Sequence, residues 1–236
     1  MNTALKVISL LLSYPTAALR EAVPDMKQAL AGAGLARRET ALLERLADDI
    51  GETDLYNAQE RYVLLFDRTR SLSLHLFEHV HGESRDRGQA MVDLLAMYEA
   101  DGFEIDAKEL PDYLPMFLEY LSMKPADEAV ELLGQTSHIL AALRERLQKR
   151  QSVYANAFAV LEAMARGKPD ASLLRDLLAA PDDDPNDLEA LDRVWEEEAV
   201  TFGGNAGENA CGPDRLQRRI RASQRPVADP SQAPNA

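Results

Sequence analysis

Two histidines and a glutamate in the stretch HLFEH, His75 to His79, are the residues most suggestive of chemistry in this sequence. The order His-x-x-Glu-His is the zinc-ligand pattern of one class of metallopeptidases. On a helix, His75 and His79 would share a face, and Glu78 beside them could act as general base toward a zinc-bound water. The pattern predicts a zinc enzyme only if a third ligand and a substrate cleft complete the site.

The apolar residues around this motif favour a different interpretation. Leu72, Leu76 and Val80 recur one helical turn apart, which is typical of a helix face that packs against a core. The chain has 40 acidic residues, so a third carboxylate ligand is always available and its presence decides nothing. We expect both histidines to make hydrogen bonds at helix edges, and we expect neither tightly held zinc nor peptide cleavage.

Other catalytic signatures are missing from the sequence. It contains no G-x-x-x-x-G-K-[ST] phosphate loop, no G-x-G-x-x-G turn and no G-x-S-x-G nucleophile elbow. Its single cysteine, Cys211, has no orienting partner nearby in the sequence and cannot form an intramolecular disulfide, which fits a reducing compartment. The sequence therefore predicts a cytoplasmic protein with no catalytic residues and no cofactor.

A second candidate for function is the stretch PDYLPMFLE. Asp112, Met116 and Glu119 would share one face of a helix that runs through Pro115. Such a face suits a basic, apolar peptide, because methionine adapts its shape and carboxylates pair with arginine. The alternative is that Pro111 and the acids beside it form only a helix start.

Charge and composition limit the classes of partner. The chain of 236 residues has a net charge of −14 and a pI of about 4.7, which argues against nucleic-acid binding and favours a basic partner. The apolar run from Val7 to Leu12 is too short to cross a bilayer, so we expect no direct membrane insertion.

The periodicity of apolar residues is helical almost throughout, and it predicts an all-α fold of roughly eight helices. We expect a single helical domain over residues 1–166. Residues 167–236 are rich in Pro, Asp, Gly and Asn, with nine acids and one arginine in 182–198 and five arginines and no acid in 215–225. This composition predicts a flexible tail with short acidic and basic segments.

Five stretches together resemble the NarJ family, the assembly chaperones (delta subunit) of respiratory nitrate reductase, within the wider TorD-like superfamily. They are SLLLSYP at 9–15, YNAQERYVLLFDR at 56–68, LHLFEHVHGESRDRGQAM at 74–91, ELPDYLPMFLEYL at 109–121 and LDRVWEEEAVTFG at 191–203. The resemblance covers about residues 1–202. It departs at Ala199, where the family has proline, and this weakens only the assignment of the tail.

The resemblance implies an all-helical cytosolic chaperone that is not a catalyst. It implies binding to the N-terminal tail of the immature catalytic (alpha) subunit of nitrate reductase, a relic of a twin-arginine export signal. Such a chaperone holds the subunit back from membrane attachment and supports iron–sulfur assembly and molybdenum cofactor insertion. Proteins that make the molybdenum cofactor are further candidate partners. In this family the HLFEH motif implies packing and polar bonding between helices.

From the three helical motifs that resemble the family we expect a groove that binds an arginine-containing client peptide as a helix. Its expected lining residues are Tyr14, Tyr56, Glu60, Asp112, Tyr113, Met116 and Glu119. A general peptide-binding helical adaptor stays open as an alternative, and a zinc metallopeptidase is a further, less favoured one.

Overall fold

Regular structure in the described part of the chain is helical, except for one isolated antiparallel bridge between His75 and Tyr113. The computed structural model describes residues 2–81, 85–105, 109–165 and 167–180. Within these ranges there are twelve α-helices. They are α1 Thr3–Leu11, α2 Ala17–Glu21, α3 Val23–Ala31, α4 Arg37–Glu52, α5 Leu55–Tyr62, α6 Leu76–His81, α7 Arg85–Ala100, α8 Leu114–Met123, α9 Ala126–Gln135, α10 Ser137–Lys149, α11 Ala155–Met164 and α12 Ala171–Ala179.

The all-α prediction is confirmed, whereas the expected number of about eight helices is too low. The sequence pattern merges neighbouring helices where only one residue separates them. Ala22 alone separates α2 from α3, and Thr136 alone separates α9 from α10. Periodicity continues across such short breaks, so it does not resolve them.

Helix α1 packs against α3, α4 and α8, and its contact with α8 is the most extensive. Its apolar side chains Leu5, Ile8 and Leu11 are fully buried in the core. The amide of Asn2 donates to the carbonyl of Ser122 at 2.6 Å, and the Ser9 hydroxyl donates to the carbonyl of Pro115 at 2.6 Å. These bonds fix α1 against both ends of α8, which places the ends of the two helices beside the candidate site described below.

Helix α5 widens at its end into a π-helical turn, Val63–Asp67, which we call the π-turn. The amide of Arg68 donates to the carbonyl of Val63 at 3.0 Å, a spacing of five residues. A 3-10 turn, Arg70–Leu72, follows and leads into the bridge at His75. Single π-helical turns are frequent at functional sites because they redirect the side chains that follow.

Helix α12 lies inside the segment that the sequence predicts to be a flexible tail, and the prediction did not include this helix. Asp170 caps the helix by accepting from the amides of Ser172 and Leu173 at 2.8 and 3.0 Å. The helix packs on α10, where the buried Arg146 donates to the carbonyl of Leu177 at 2.6 Å. The helix therefore has both a cap and a tertiary contact, which the composition of the whole segment does not indicate.

The contacts divide the chain into two units, Met1–Leu188 and Glu189–Ala236, and every described residue belongs to the first. The domain boundary predicted after residue 166 therefore falls inside the first unit. The predictions for residues 181–236 lie outside the described residues. In the ranges that are described, no helix combines the length and the apolar character needed to cross a membrane.

Candidate functional site

Three pockets adjoin one another near the ends of α1, α5 and α8. We call them the α8 pocket, the α5 pocket and the central pocket, with volumes of about 370, 320 and 210 Å³. The central pocket shares Glu109 and Tyr113 with the α8 pocket and shares Tyr14 with the α5 pocket. Each outer pocket therefore adjoins the central pocket through shared side chains, and we call the three pockets together the groove.

The α8 pocket combines an apolar lining with acidic side chains. It is lined by Ser9, Ser13, Phe103, Glu104, Ile105, Glu109, Tyr113, Pro115, Met116 and Glu119. Met116 is buried, while Glu104 and Glu109 are exposed. The Glu119 carboxylate is half-buried and forms an ion pair with Lys6 of α1. An apolar surface with carboxylates around it suits an amphipathic ligand of positive charge.

The α5 pocket lies at the other end of the groove. It is lined by Tyr14, Tyr56, Gln59, Glu60, Val63, Leu64 and Arg68. The side-chain amide of Gln59 donates to the carbonyl of Pro15 at 2.9 Å, which holds the segment after α1 against α5. Tyr56 is 79% exposed and Tyr14 is 44% exposed, and both are unusually accessible for large aromatic side chains. This end of the groove therefore offers aromatic surface to a partner.

The central pocket has aromatic walls. It is lined by Tyr14, Tyr62, Phe66, Asp67, Leu74, His75, Glu109 and Tyr113. The ring of Tyr62 meets those of Tyr14 and Phe66 edge to face, with centroids 5.6 and 4.9 Å apart. The Tyr62 hydroxyl donates to the carbonyl of Leu12 at 2.9 Å, so the Tyr113 hydroxyl, 2.9 Å away, donates to the Tyr62 oxygen. These contacts hold the tyrosine walls in fixed positions.

The carboxylates of the central pocket give it a negative charge. Burial raises the pKa of Asp67, the nearby Glu109 raises it further, and His75 opposes both effects. Burial also raises the pKa of Tyr113 to about 12; the hydrogen bond with Tyr62 opposes this effect, and the nearby Glu109 and Asp67 add to it. A bound cation would reduce the repulsion between these negative charges.

Six of the seven residues expected to line a client site do line the groove. Tyr14, Tyr56 and Glu60 line the α5 pocket, while Met116 and Glu119 line the α8 pocket. Tyr113, the sixth, lies where the central pocket meets the α8 pocket. The structure thus brings together the three separate motifs, and whether these residues bind a client stays a prediction.

Asp112 is the exception, and the acidic stripe expected from Asp112 through Met116 to Glu119 is not present. Helix α8 begins at Leu114, so Asp112 precedes it and does not share a face with the other two. Asp112 is fully buried, and its carboxylate accepts from the Phe77 amide at 3.0 Å and from His75 Nδ1 at 3.1 Å. A carboxylate engaged in this way has no free face for an arginine of a client.

Asp112 instead joins two segments of the chain. Its backbone carbonyl accepts from the Leu76 amide at 3.0 Å, and its side chain accepts from the next amide, that of Phe77. Both amides lie in the first turn of α6, where the helix itself supplies no acceptors. Asp112 therefore caps α6 from a distant part of the sequence, in the manner of a local N-cap residue.

The two histidines of HLFEH do not share a helix face. His75 pairs with Tyr113 in the bridge before α6, while His79 lies within α6 and its Nε2 donates to the carbonyl of Ser73 at 2.8 Å. The hydrogen bond and charge of Asp112 raise the pKa of His75, whereas burial lowers the pKa of His79.

These histidine contacts account for one ring nitrogen of each residue. Across the residues that the structure describes, no three side chains among His, Cys, Asp and Glu are grouped to hold a metal ion. The expected absence of zinc stays a prediction.

The sequence interpretation missed Asp67 and Glu109, which face the central pocket. Both lie within the stretches quoted for the family resemblance, YNAQERYVLLFDR and ELPDYLPMFLEYL. The π-turn places Asp67 at the central pocket, and the turn before α8 places Glu109 there. Neither residue belongs to a periodic pattern, so membership in those stretches was the only available signal.

Comparison with known proteins places the groove in a defined family context. Residues 15–160 match the family described as nitrate reductase delta subunit. The chain is 45% identical over 228 residues to the nitrate reductase molybdenum cofactor assembly chaperone NarJ of Escherichia coli K12, covering 94% of each chain. It is 43% identical over 226 residues to the probable nitrate reductase molybdenum cofactor assembly chaperone NarW of the same strain, covering 95% of this chain and 94% of that one.

A more distant relative gives the same type of match. The chain is 31% identical over 159 residues to the probable nitrate reductase molybdenum cofactor assembly chaperone NarJ of Bacillus subtilis 168, covering 66% of this chain and 84% of that one. The family match spans the π-turn, the bridge at His75 and the start of α8. Most of the groove is therefore built from residues within the matched range.

Proposed function

The chain belongs to the nitrate reductase delta subunit family, and we propose from this that it is an assembly chaperone for molybdenum cofactor insertion into a respiratory nitrate reductase. The relatives in Escherichia coli K12 described above are named as assembly chaperones. The protein itself acts by binding, with no catalytic residue and no resident cofactor.

The client of this chaperone is the catalytic (alpha) subunit of the reductase, held through its N-terminal peptide. The chaperone binds the immature subunit before it attaches to the membrane, in the cytoplasm. Proteins that make the molybdenum cofactor meet the complex at the insertion step. Nucleic acid has no place in this role, because the chain carries a net charge of −14.

The groove is the observation that carries the proposal for the peptide. It combines apolar and aromatic surface with the acids Glu60, Asp67, Glu104 and Glu109, and it extends over three adjoining pockets. An amphipathic helix would place its apolar side chains in the α8 pocket and its basic side chains against the acids. Exposed Tyr14 and Tyr56 supply contact area at low entropic cost, because each has few side-chain torsions to fix.

Affinity purification of the tagged protein from cells that express the reductase tests this function. We expect the catalytic subunit to co-purify, and we expect a catalytic subunit that lacks its N-terminal segment to be lost from the complex. Retention of the truncated subunit would contradict the proposed mode of binding. Recovery of many unrelated proteins with basic segments, and no reductase, would favour the general helical adaptor.

Calorimetry with a synthetic peptide of that N-terminal segment isolates the binding step. We expect one peptide per chain, with an affinity that falls as salt rises, because exposed charges are screened within about 10 Å at 0.1 M salt. As a control, a peptide in which every arginine is replaced by citrulline keeps the size of each side chain and removes its charge. Equal salt dependence of the two peptides would show that the acids of the groove are not used.

A further inference from the structure

The central pocket has features that select a particular side chain, beyond the general fit of the groove to a basic peptide. Its volume is about 210 Å³, smaller than the 300–1,000 Å³ or so of most small-molecule sites. A cavity of this size suits the end of one long side chain. It shares lining residues with both the α5 pocket and the α8 pocket, so a peptide bound in both of them would also contact its walls.

Two carboxylates come to this pocket from separate parts of the chain. Asp67 ends the π-turn, and Glu109 precedes α8 by five residues. Within the described ranges, neither carboxylate has a hydrogen bond or ion pair to another group. By contrast, Glu119 in the α8 pocket is paired with Lys6. Asp67 and Glu109 are therefore the carboxylates of this pocket that are open to a ligand.

The walls of the pocket favour a planar cation. Tyr14, Tyr62, Phe66 and Tyr113 line the pocket, and Tyr14, which is 44% exposed, is the most accessible of these rings. A guanidinium group stacks on such rings, and its five N–H donors suit carboxylates that approach from more than one direction. An ammonium group is a compact point charge. It has no planar face to stack on the rings and no fixed fork of donors, and it is more strongly hydrated.

His75 contributes to the shape and charge of the pocket without competing for the ligand's place. Its Nδ1 is engaged by the buried Asp112 at 3.1 Å, and its ring lies 5.5 Å from that of Tyr113 between centroids. The Asp112 carboxylate offsets the positive charge that His75 gains on protonation. The His75 ring is therefore held as part of the pocket wall. It is close enough to Asp67 for its charge to lower the pKa of that carboxyl group.

We propose that the central pocket is an arginine subsite, in which one guanidinium of the client peptide lies between Asp67 and Glu109 and against the ring walls. This rests on the proposed function, because the arginine is a residue of the client. It identifies Asp67 and Glu109 as the residues that determine specificity, in place of the buried Asp112. One arginine of the peptide is fixed by this subsite, and the remaining basic side chains face the outer acids.

A double-mutant cycle between protein and peptide tests the subsite by calorimetry. The protein variants are Asp67→Asn, Glu109→Gln and the two combined, and the synthetic N-terminal peptide carries citrulline at one arginine at a time. Losing a charge-assisted contact weakens binding by about tenfold to a hundredfold. We expect one arginine position at which citrulline has this effect on the wild-type protein and almost none on the combined variant.

Matched controls separate the subsite from the general field of the groove. Glu104→Gln removes a carboxylate from the α8 pocket, and we expect the citrulline effect at the identified position to remain in this variant. Lysine at that position should restore only part of the affinity, because it keeps the positive charge but lacks the planar set of N–H donors of a guanidinium group. Additive effects of Asp67→Asn, Glu109→Gln and citrulline at every arginine position would overturn the subsite while leaving peptide binding intact.

A small arginine compound tests binding at the subsite without the rest of the peptide. N-acetylarginine methylamide, titrated into the wild-type protein, should shift the ring resonances of His75 in NMR spectra. The citrulline analogue, and the arginine compound with the combined variant, should not. Shifts without peptide binding would retain the subsite and overturn the proposed client, whereas no shift in the wild-type protein together with no coupling in the cycle would overturn the subsite.

Discussion

At the scale of the residue, the buried carboxylate of Asp112 links the sequence motifs to the architecture of the groove. It accepts from His75 and from the amide of Phe77, while its backbone carbonyl accepts from Leu76. The next residue, Tyr113, lines both the central pocket and the α8 pocket. Asp112 thus positions a wall of the groove through buried bonds, and a change there acts on stability before it acts on binding.

Replacing Asp112 by alanine should destabilise the fold by about 1–3 kcal/mol, the usual cost when a buried donor loses its acceptor. The Phe77 amide and His75 Nδ1 would both lose their partner. Urea unfolding followed by circular dichroism measures this. The control is Glu119→Ala, which removes a half-exposed ion pair with Lys6 and should cost below about 1 kcal/mol. Equal midpoints for the two variants would show that Asp112 has no capping role.

The protonation of His75 gives a pH dependence of defined sign. Its hydrogen bond with Asp112 raises its pKa above the ordinary value of 6.5. The stabilisation from this pair is therefore fully present below pH 6.5 or so and is lost as the pH rises through the raised pKa. NMR titration should show the pKa of His75 falling in Asp112→Asn. A pKa of His75 that is unchanged in the variant would contradict this account.

His79 provides an internal control with the opposite sign. Burial lowers its pKa, so the stability that its neutral form contributes is present above pH 6.5 or so and is lost as the pH falls through the lowered pKa. Asp112 is the smallest of the causes that act on His79. The pKa of His79 should therefore move much less than that of His75 in the same variant.

At the scale of the element, short helices and irregular turns do most of the positioning. The π-turn sets Phe66 and Asp67 in the wall of the central pocket, and the bridge brings His75 and Tyr113 to the same pocket. Helix α12 stabilises the domain from another side, through the bond from Arg146 to the carbonyl of Leu177. Arg146 also donates to the carbonyl of Ser71 at 2.7 Å, in the 3-10 turn that leads to the bridge.

A chain ending at residue 180 should be more stable than one ending at residue 166. The shorter chain loses the carbonyl of Leu177, and a hydrogen bond to a charged group such as Arg146 contributes about 1.5–3 kcal/mol. Urea midpoints of the two chains measure the difference. If the midpoints coincide, α12 contributes nothing to the fold.

Two leucine variants in the longer chain locate the effect within α12. Leu177 packs against the core, so Leu177→Ala should lower the midpoint. Leu173 is 48% exposed, so Leu173→Ala should leave it nearly unchanged. The same loss in both variants would point to helix content rather than packing as the origin of the stability.

At the scale of the whole molecule, the sequence predicts those features that depend on local periodicity and on recognisable motifs. The all-α class follows from helical spacing, and Tyr14, Tyr56 and Tyr113 could be assigned to one site because each lies in a family motif. Burial of Asp112 could not be predicted, because it depends on α8 beginning two residues later. The presence of Asp67 and Glu109 in one pocket depends on turns, which apolar periodicity does not describe.

The predicted tail shows that composition, like periodicity, does not reveal tertiary contacts. Proline and acid content predicts disorder from residue 167, yet α12 forms because Asp170 caps it and α10 offers Arg146 and apolar surface. Composition averages over a segment, whereas a cap and a buried donor act at single positions. Tertiary contacts of this kind are visible only once the helices are placed.

The central claim is that the groove is where the client binds, and site-directed photo-crosslinking tests it most directly. A benzophenone amino acid at Tyr56, which is 79% exposed in the α5 pocket, should crosslink the N-terminal segment of the nitrate reductase catalytic subunit. The same amino acid at Leu173, an exposed position on α12 outside the groove, should not. Crosslinking from Leu173 and none from Tyr56, or equal crosslinking from both, would contradict the account.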